Sequence, residues 1–277
     1  MHAWLLAALF ALAAWTVQRV LSKVALGSLG TKKFYLLSAL VSLLVYLPYL
    51  VWRPPAREAL LPAFGLACLM ALTFGVTTEA IRRGPLGAVS SITALSPALT
   101  AILAVGLLGE RLAPWGYAGT ALAPLGVTLL STGRTGKEGS EGWVMLAILS
   151  LALQGVGAFI AKLVVTPEGP SALLLMGASV QVVVGAFLAP PRDWKSDDLR
   201  GSAAAFTVIA YAFAGAATIG YLLALAAGPA AIIVPLVATS PALAGILGIA
   251  VLHERAGGRQ YAGIAVALIG AALLPLS

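Results

Sequence analysis

The chain has 277 residues, 60% of them apolar and only 10% charged, against about 25% charged residues in a soluble domain, so lipid is the solvent it expects. Its 17 Lys and Arg against 10 Asp and Glu give a net charge of +7. The basic residues stand in short pairs between apolar runs, which suits loops facing an anionic leaflet and argues against nucleic acid as a partner. One cysteine, Cys68, and two distant histidines, His2 and His253, supply no disulfide and no metal-ligand spacing, so neither a metal nor another cofactor is expected.

A helix crossing the hydrocarbon needs about 20 mostly apolar residues. Ten such stretches follow one another: 3–24, 34–52, 60–82, 85–108, 115–132, 142–165, 171–189, 202–226, 229–252 and 259–276. The first lacks a preceding basic residue and runs past signal-peptide length, so it reads as a span. Turn chemistry marks the breaks, at Arg53-Pro54-Pro55, Gly84-Pro85, Pro167 to Pro170, Pro190-Pro191 and Gly228-Pro229. The Gly-rich, charged segment Thr132 to Glu141 is the natural linker between a unit at 1–133 and a unit at 140–277.

Polar residues inside spans are expensive and usually face a cavity or a partner. The first span carries Trp15, Gln18, Arg19, Ser22 and Lys23, with Trp15, Arg19 and Ser22 on one face. Arg19 suits the carboxylate or phosphate of a substrate, with snorkelling to the interface as the alternative; snorkelling is the expectation for Lys23 and Lys162. The third span offers Thr73 and Thr77 on one face. Its Glu79 lies three and four residues before Arg82 and Arg83, which predicts a local ion pair at the interface rather than a proton site. Ser96-Pro97 and Ser240-Pro241 sit near the middle of the fourth and ninth spans. There a proline removes an amide donor and frees carbonyls, so each is a hinge or a static kink. Gln154 lies in the sixth span. The eighth carries Tyr211, Gly215, Thr218 and Tyr221 on one face, either lining a cavity or forming a helix seam.

The strongest signal is internal repetition. Shifted by 144 positions, residues 84–126 overlie 228–270 with 18 of 43 positions identical. Gly84-Pro85 meets Gly228-Pro229, Ser96-Pro97-Ala98-Leu99 meets Ser240-Pro241-Ala242-Leu243, and Glu110-Arg111 meets Glu254-Arg255. Tyr117-Ala118-Gly119 meets Tyr261-Ala262-Gly263. At an offset of 139, Trp4 meets Trp143, Leu12 meets Leu151 and Lys23 meets Lys162. An odd number of spans per repeat makes the second copy enter the membrane from the opposite side, the inverted symmetry typical of secondary transporters. The fold expected is all-α and membrane-integral, with ten transmembrane helices as two inverted five-helix repeats around a central cavity.

On these motifs the chain resembles the drug/metabolite transporter superfamily, in its ten-helix EamA-type branch. The resemblance rests on Trp15 and Lys23 in the first helix, Ala80-Ile81-Arg82-Arg83 closing the third, the mid-helix Ser-Pro pairs, and the Glu-Arg turn after each. It covers the whole chain. It implies a basket of ten helices around a cavity, and export or exchange of amino acids, other metabolites or drugs. Gln154 stands where Trp15 would repeat, and Ala226-Ala227 where Arg82-Arg83 would, so the two halves are not chemically equivalent.

The expected function is secondary transport of small organic metabolites, amino-acid-like or amphipathic, by alternating access in a plasma membrane. The expected partners are a small-molecule substrate and the bilayer, with the protein a monomer or homodimer. Residues expected to bind substrate are Trp15, Gln18, Arg19, Thr73, Thr77, Ser96, Gln154, Tyr211, Thr218, Tyr221 and Ser240, with Pro97 and Pro241 as hinges. The chain has no phosphate-cradling loop, HExxH or Ser/His/Asp set, so no enzyme is expected. An intramembrane enzyme, a membrane scaffold and, within transport, an organic-anion exchanger of the phosphate or nucleotide-sugar type are the alternatives. Orientation stays open. One set of loops holds eleven Lys and Arg and the other three, which puts both termini outside, whereas the resemblance implies termini in the cytoplasm.

Overall fold

The computed structural model describes residues 3–29, 31–131, 142–190, 201–252 and 257–276. Glu254, Arg255, both histidines, the linker 132–141 and the segment 191–200 lie outside the described residues, as does the Lys23 side chain. The described elements are all helical: α1 Ala3–Leu29, α2 Thr31–Trp52, α3 Arg57–Arg83, α4 Leu86–Thr93, α5 Ser96–Leu108, α6 Pro114–Ser131, α7 Trp143–Glu168, α8 Ser171–Leu188, α9 Ser202–Ala227, α10 Ala230–Val237, α11 Ser240–Leu252 and α12 Gly258–Leu273, closed by a short 3-10 turn Leu274–Leu276. Nine helical segments among the described residues are long and apolar enough to cross a bilayer, with α4–α5 and α10–α11 each counting as one. A tenth segment, α6, is diluted by Trp115, Tyr117, Gly116, Gly119 and Pro124.

Outward faces carry apolar side chains such as Val51, Leu61, Val183 and Phe187, each at least 70% exposed, as lipid contact requires. Inside, hydrophobicity gives no net drive for helix association, so small residues that let backbones approach matter more. The seam of α6 with α12 shows this. A Cβ at Gly126 would fall on the backbone of Ala267, one at Gly270 on that of Ala123, and one at Gly119 2.8 Å from the Gly270 carbonyl oxygen. Gly119 and Gly126 are repeat mates of Gly263 and Gly270, so one pattern, used twice, builds both sides of the seam.

The two halves are knitted by further repeat-related contacts. Trp143 packs its ring on Gly84, where a Cβ would meet it at 2.7 Å, and Trp4 packs on Gly228, at 2.5 Å. Each half thus plants the first tryptophan of its leading helix on the Gly-Pro hairpin of the other. Beside Gly228, Glu110 reaches across as well. Gly109 ends α5 in the left-handed region at φ 66°, which glycine adopts without a Cβ penalty, and turns the chain so that Glu110 faces α10. The two Glu110 carboxylate oxygens accept from the amides of Ala230 and Ala231 at 2.9 and 2.8 Å, capping donors that a helix start leaves unpaired. Lys162 donates to the carbonyls of Leu225 and Gly228 at 2.7 and 2.9 Å, at the end of α9. These contacts correct one expectation, since Lys162 caps a helix terminus instead of snorkelling, and they give Glu110 its partners in the opposite half. Glu79 does make its local ion pair, at 2.6 Å to both Arg82 and Arg83.

The Ser-Pro motifs also differ from a simple kink. The fourth and ninth crossings are each two helices, parted at Ala94-Leu95 and at Ala238-Thr239. Pro97 stands in the first turn of α5. An absent amide there is no loss, because first-turn amides have no helical partner. Proline therefore starts a new helix here and does not bend a continuous one.

Candidate functional site

Six helices bring most of the candidate residues into two clusters, one for each repeat-related pair of helices. In the first, α1 runs beside α9 and touches α11. Trp15 and Tyr221 pack with ring centroids 5.4 Å apart and planes tilted by 48°. One turn further along α1, the Arg19 Nε donates to the Ser240 hydroxyl at 3.0 Å. Ser240 is the first residue of α11 and is 1% exposed. Arg19 is surrounded by many protein atoms, yet keeps exposed surface. Snorkelling does not describe it: its bonded partner is buried at a helix break in the other half. Tyr211 stands close enough to Arg19 for the two to interact electrostatically, and its ring meets Phe34 at 5.4 Å, edge to face.

The second cluster joins α3 to α7. The Thr77 and Ser150 hydroxyls are 2.5 Å apart, and the Gln154 side-chain amide donates to Ser150 at 2.9 Å. Ser96, at the start of α5, lies against α7: a Cβ on Gly155 would come within 2.9 Å of the Ser96 carbonyl oxygen. The two clusters occupy corresponding places. At the repeat offsets Trp15 maps to Gln154, Tyr221 to Thr77, Ser240 to Ser96 and Arg19 to Ala158. The same positions meet at each of the two interfaces between the halves, as an aromatic pair with a cation at one and a neutral hydrogen-bonded chain at the other.

Three candidates sit differently from expectation. Thr73 is buried and donates to the Leu69 carbonyl of its own helix at 2.7 Å, so its hydroxyl joins neither cluster. Gln18 donates to Ser22, one turn along α1, at 2.8 Å. On α9 the proposed stripe is divided: Gly215 is a seam, where a Cβ would strike Val45 of α2 at 2.8 Å, while Thr218 donates to the Ala214 carbonyl at 2.9 Å and faces the Tyr46 hydroxyl.

That last contact shows what the sequence reading missed. Ser38, Ser42 and Tyr46 recur every fourth residue along α2 and are 5–7% exposed. Ser38 faces Tyr211, and Ser42 shares Tyr46 with Thr218. The four-residue spacing of polar groups in an apolar helix was the available signal. It went unread because each residue alone is an ordinary small or amphipathic type.

Known proteins agree with this architecture. The profile of the EamA-like transporter family matches residues 2–132 and again 141–275. An uncharacterized transporter in the cobO 3' region of Sinorhizobium sp. is 29% identical over 137 residues, which are 49% of this chain and 97% of that protein. A protein about as long as one repeat is therefore similar to half of this one. A solved crystal structure superimposes with a TM-score of 0.78 at 18% identity, over 98% of this chain and 96% of that one. At that identity it speaks for the fold alone.

Proposed function

The chain belongs to the EamA-like transporter family and is a multi-pass membrane transporter of small solutes, and we propose that it carries amphipathic organic metabolites, amino-acid-like in size, by alternating access. The observation that carries this reading is the pairing of Trp15–Tyr221 and Arg19–Ser240 on one repeat-related helix pair against Thr77–Ser150–Gln154 on the other. Mid-span polar and ionisable groups are costly unless they pair or face a cavity, and they commonly mark substrate pathways. Inverted repeats supply two similar bodies that can rock around such a site.

In this proposal an apolar portion of the solute rests on the Trp15–Tyr221 pair and a polar head engages Arg19. The breaks at Ala94-Leu95 and Ala238-Thr239 let α5 and α11 swing against α4 and α10, with Pro97 and Pro241 fixing where each new helix begins. Export or exchange across a plasma membrane is the proposed setting.

The test is counterflow in proteoliposomes with a panel of labelled amino acids, organic acids and amphipathic amines. At least one solute is expected to exchange with the wild-type protein. Arg19→Ala and Tyr221→Ala are expected to depress that exchange by about tenfold or more, the scale of one charge-assisted bond or one buried aromatic contact. Unchanged transport of every solute in both variants sinks the site assignment.

A further inference from the structure

A guanidinium presents five N–H donors and accepts none. Arg19 commits one, from Nε to Ser240, and has the Tyr211 hydroxyl within electrostatic reach, but among the described residues no carboxylate ion-pairs with it. The side chain lies within a span, more than two turns from the start of α1, crowded by protein atoms while keeping exposed surface. A cation in that setting calls for a counter-charge from outside the protein.

The distribution of acids sharpens this. Of the ten Asp and Glu in the chain, Glu79 lies deepest in any span, four residues from the end of α3, and it is bound by Arg82 and Arg83. Glu110 is committed to the amides of α10. Of the remaining eight, Glu58 and Glu168 lie at the ends of α3 and α7, and the other six lie outside the described residues. Among the described residues, the middle of the spans therefore holds a positive charge and no negative one. An organic cation would meet Arg19 with nothing to offset it, and the α-ammonium of a zwitterion would likewise lack a carboxylate.

We infer that the substrate is an organic monoanion, a carboxylate held by the Arg19 fork, which the buried Ser240 hydroxyl positions, with an apolar body against Trp15 and Tyr221. This rests on the transport site proposed above and narrows its substrate to one charge class. A single guanidinium matches one carboxylate with a planar two-point contact, whereas a phosphate dianion would keep a charge unmatched. The four-residue step from Arg19 to Trp15 spans about 6 Å along the helix axis. A body a ring in size, two or three bonds from the carboxylate, fills that step.

Four probes with the same phenyl body separate charge from shape: 3-phenylpropanoate (anion), 3-phenylpropanamide (neutral), 3-phenylpropylamine (cation) and phenylalanine (zwitterion). Equilibrium binding to purified protein in nanodiscs is expected to rank the anion first, by about tenfold or more over the amide. Arg19→Gln is expected to erase that preference and Arg19→Lys to keep it in weakened form. A wild-type protein that binds the amide or the amine as well as the anion, or binds none of them, overturns the inference, as does an Arg19→Gln protein that keeps the anion preference. The wild-type ranking decides the matter if Arg19→Gln does not fold. Counterflow with the same probes separates the two claims. Binding of the anion without transport leaves the charge assignment standing and removes transport. Transport of phenylalanine or the amine, indifferent to Arg19, does the reverse.

Discussion

The Glu110 clasp gives the most direct test of how the halves are joined. Both carboxylate oxygens are used, at 2.9 Å to Ala230 and 2.8 Å to Ala231. Hydrogen bonds to a charged group contribute about 1.5–3 kcal/mol each, and the half-buried setting favours the low end, so Glu110→Ala should cost about 3 kcal/mol. Glu110→Gln should be no milder. One of its two positions becomes an NH2 that faces a backbone amide, donor against donor, and the charge that favours a helix N-terminus is gone. Glu110→Asp keeps the charge but is one methylene short, and should fall between wild type and Ala. For a chain of this size about 3 kcal/mol corresponds to a fall in Tm of roughly 6–12 °C, which tryptophan fluorescence in detergent micelles can follow. If Glu110→Gln melts with the wild type, the carboxylate does not cap α10 and the reasoning fails.

Lys162→Met keeps most of the side chain's bulk but withdraws the ammonium from the carbonyls of Leu225 and Gly228. It should lower stability by about 1–3 kcal/mol, and the double variant with Glu110→Ala should lose less than the sum, because both residues hold one junction; full additivity in melting experiments would separate the two caps. Gly126→Ala puts a methyl group onto the backbone of Ala267 and should abolish a monodisperse peak in size-exclusion chromatography. Gly106→Ala meets nothing within 4 Å and should leave the peak unchanged or slightly improve stability, by about 0.5–1 kcal/mol.

The helix boundaries and the repeat were legible because they rest on local chemistry. Apolar length marks a span, Gly-Pro marks a hairpin, and the Glu79 ion pair lies within one helical turn of its partners. What escaped was long-range. The amides that Glu110 caps lie 120 residues further on, and a Glu-Arg dipeptide carries no sign of that destination. Lys162 looked like an interfacial lysine because nothing in its own helix reveals the carbonyls of α9. Of the candidate site, Trp15, Arg19, Tyr221 and Ser240 were readable as costly polar or aromatic groups within spans. Their pairing was readable only in outline, from the repeat offsets. Thr73 stands apart from both clusters because a threonine in a helix can satisfy its hydroxyl on its own backbone, which spacing alone does not reveal.

The repeat is strict where the halves must fit each other and loose where a solute would sit. Trp4 and Trp143 do the same work on Gly228 and Gly84, and Gly119 and Gly126 mirror Gly263 and Gly270. Rocking between two faces needs matched seams, so these positions have little freedom to diverge. The mid-span pairs carry no such demand. Of the two asymmetries visible in the sequence, Arg82-Arg83 against Ala226-Ala227 falls at the end of α3, where Glu79 accounts for it. Trp15 against Gln154 falls within the clusters, and Arg19 against Ala158 joins it there. In this structure α1 also packs on α9 more extensively than α7 packs on α3. On the proposed mechanism those interfaces exchange roles during transport, while the charge stays with α1. A carboxylate bound to Arg19 would then remain on the α1 wall through the cycle, with the α3–α7 wall opening and closing opposite it.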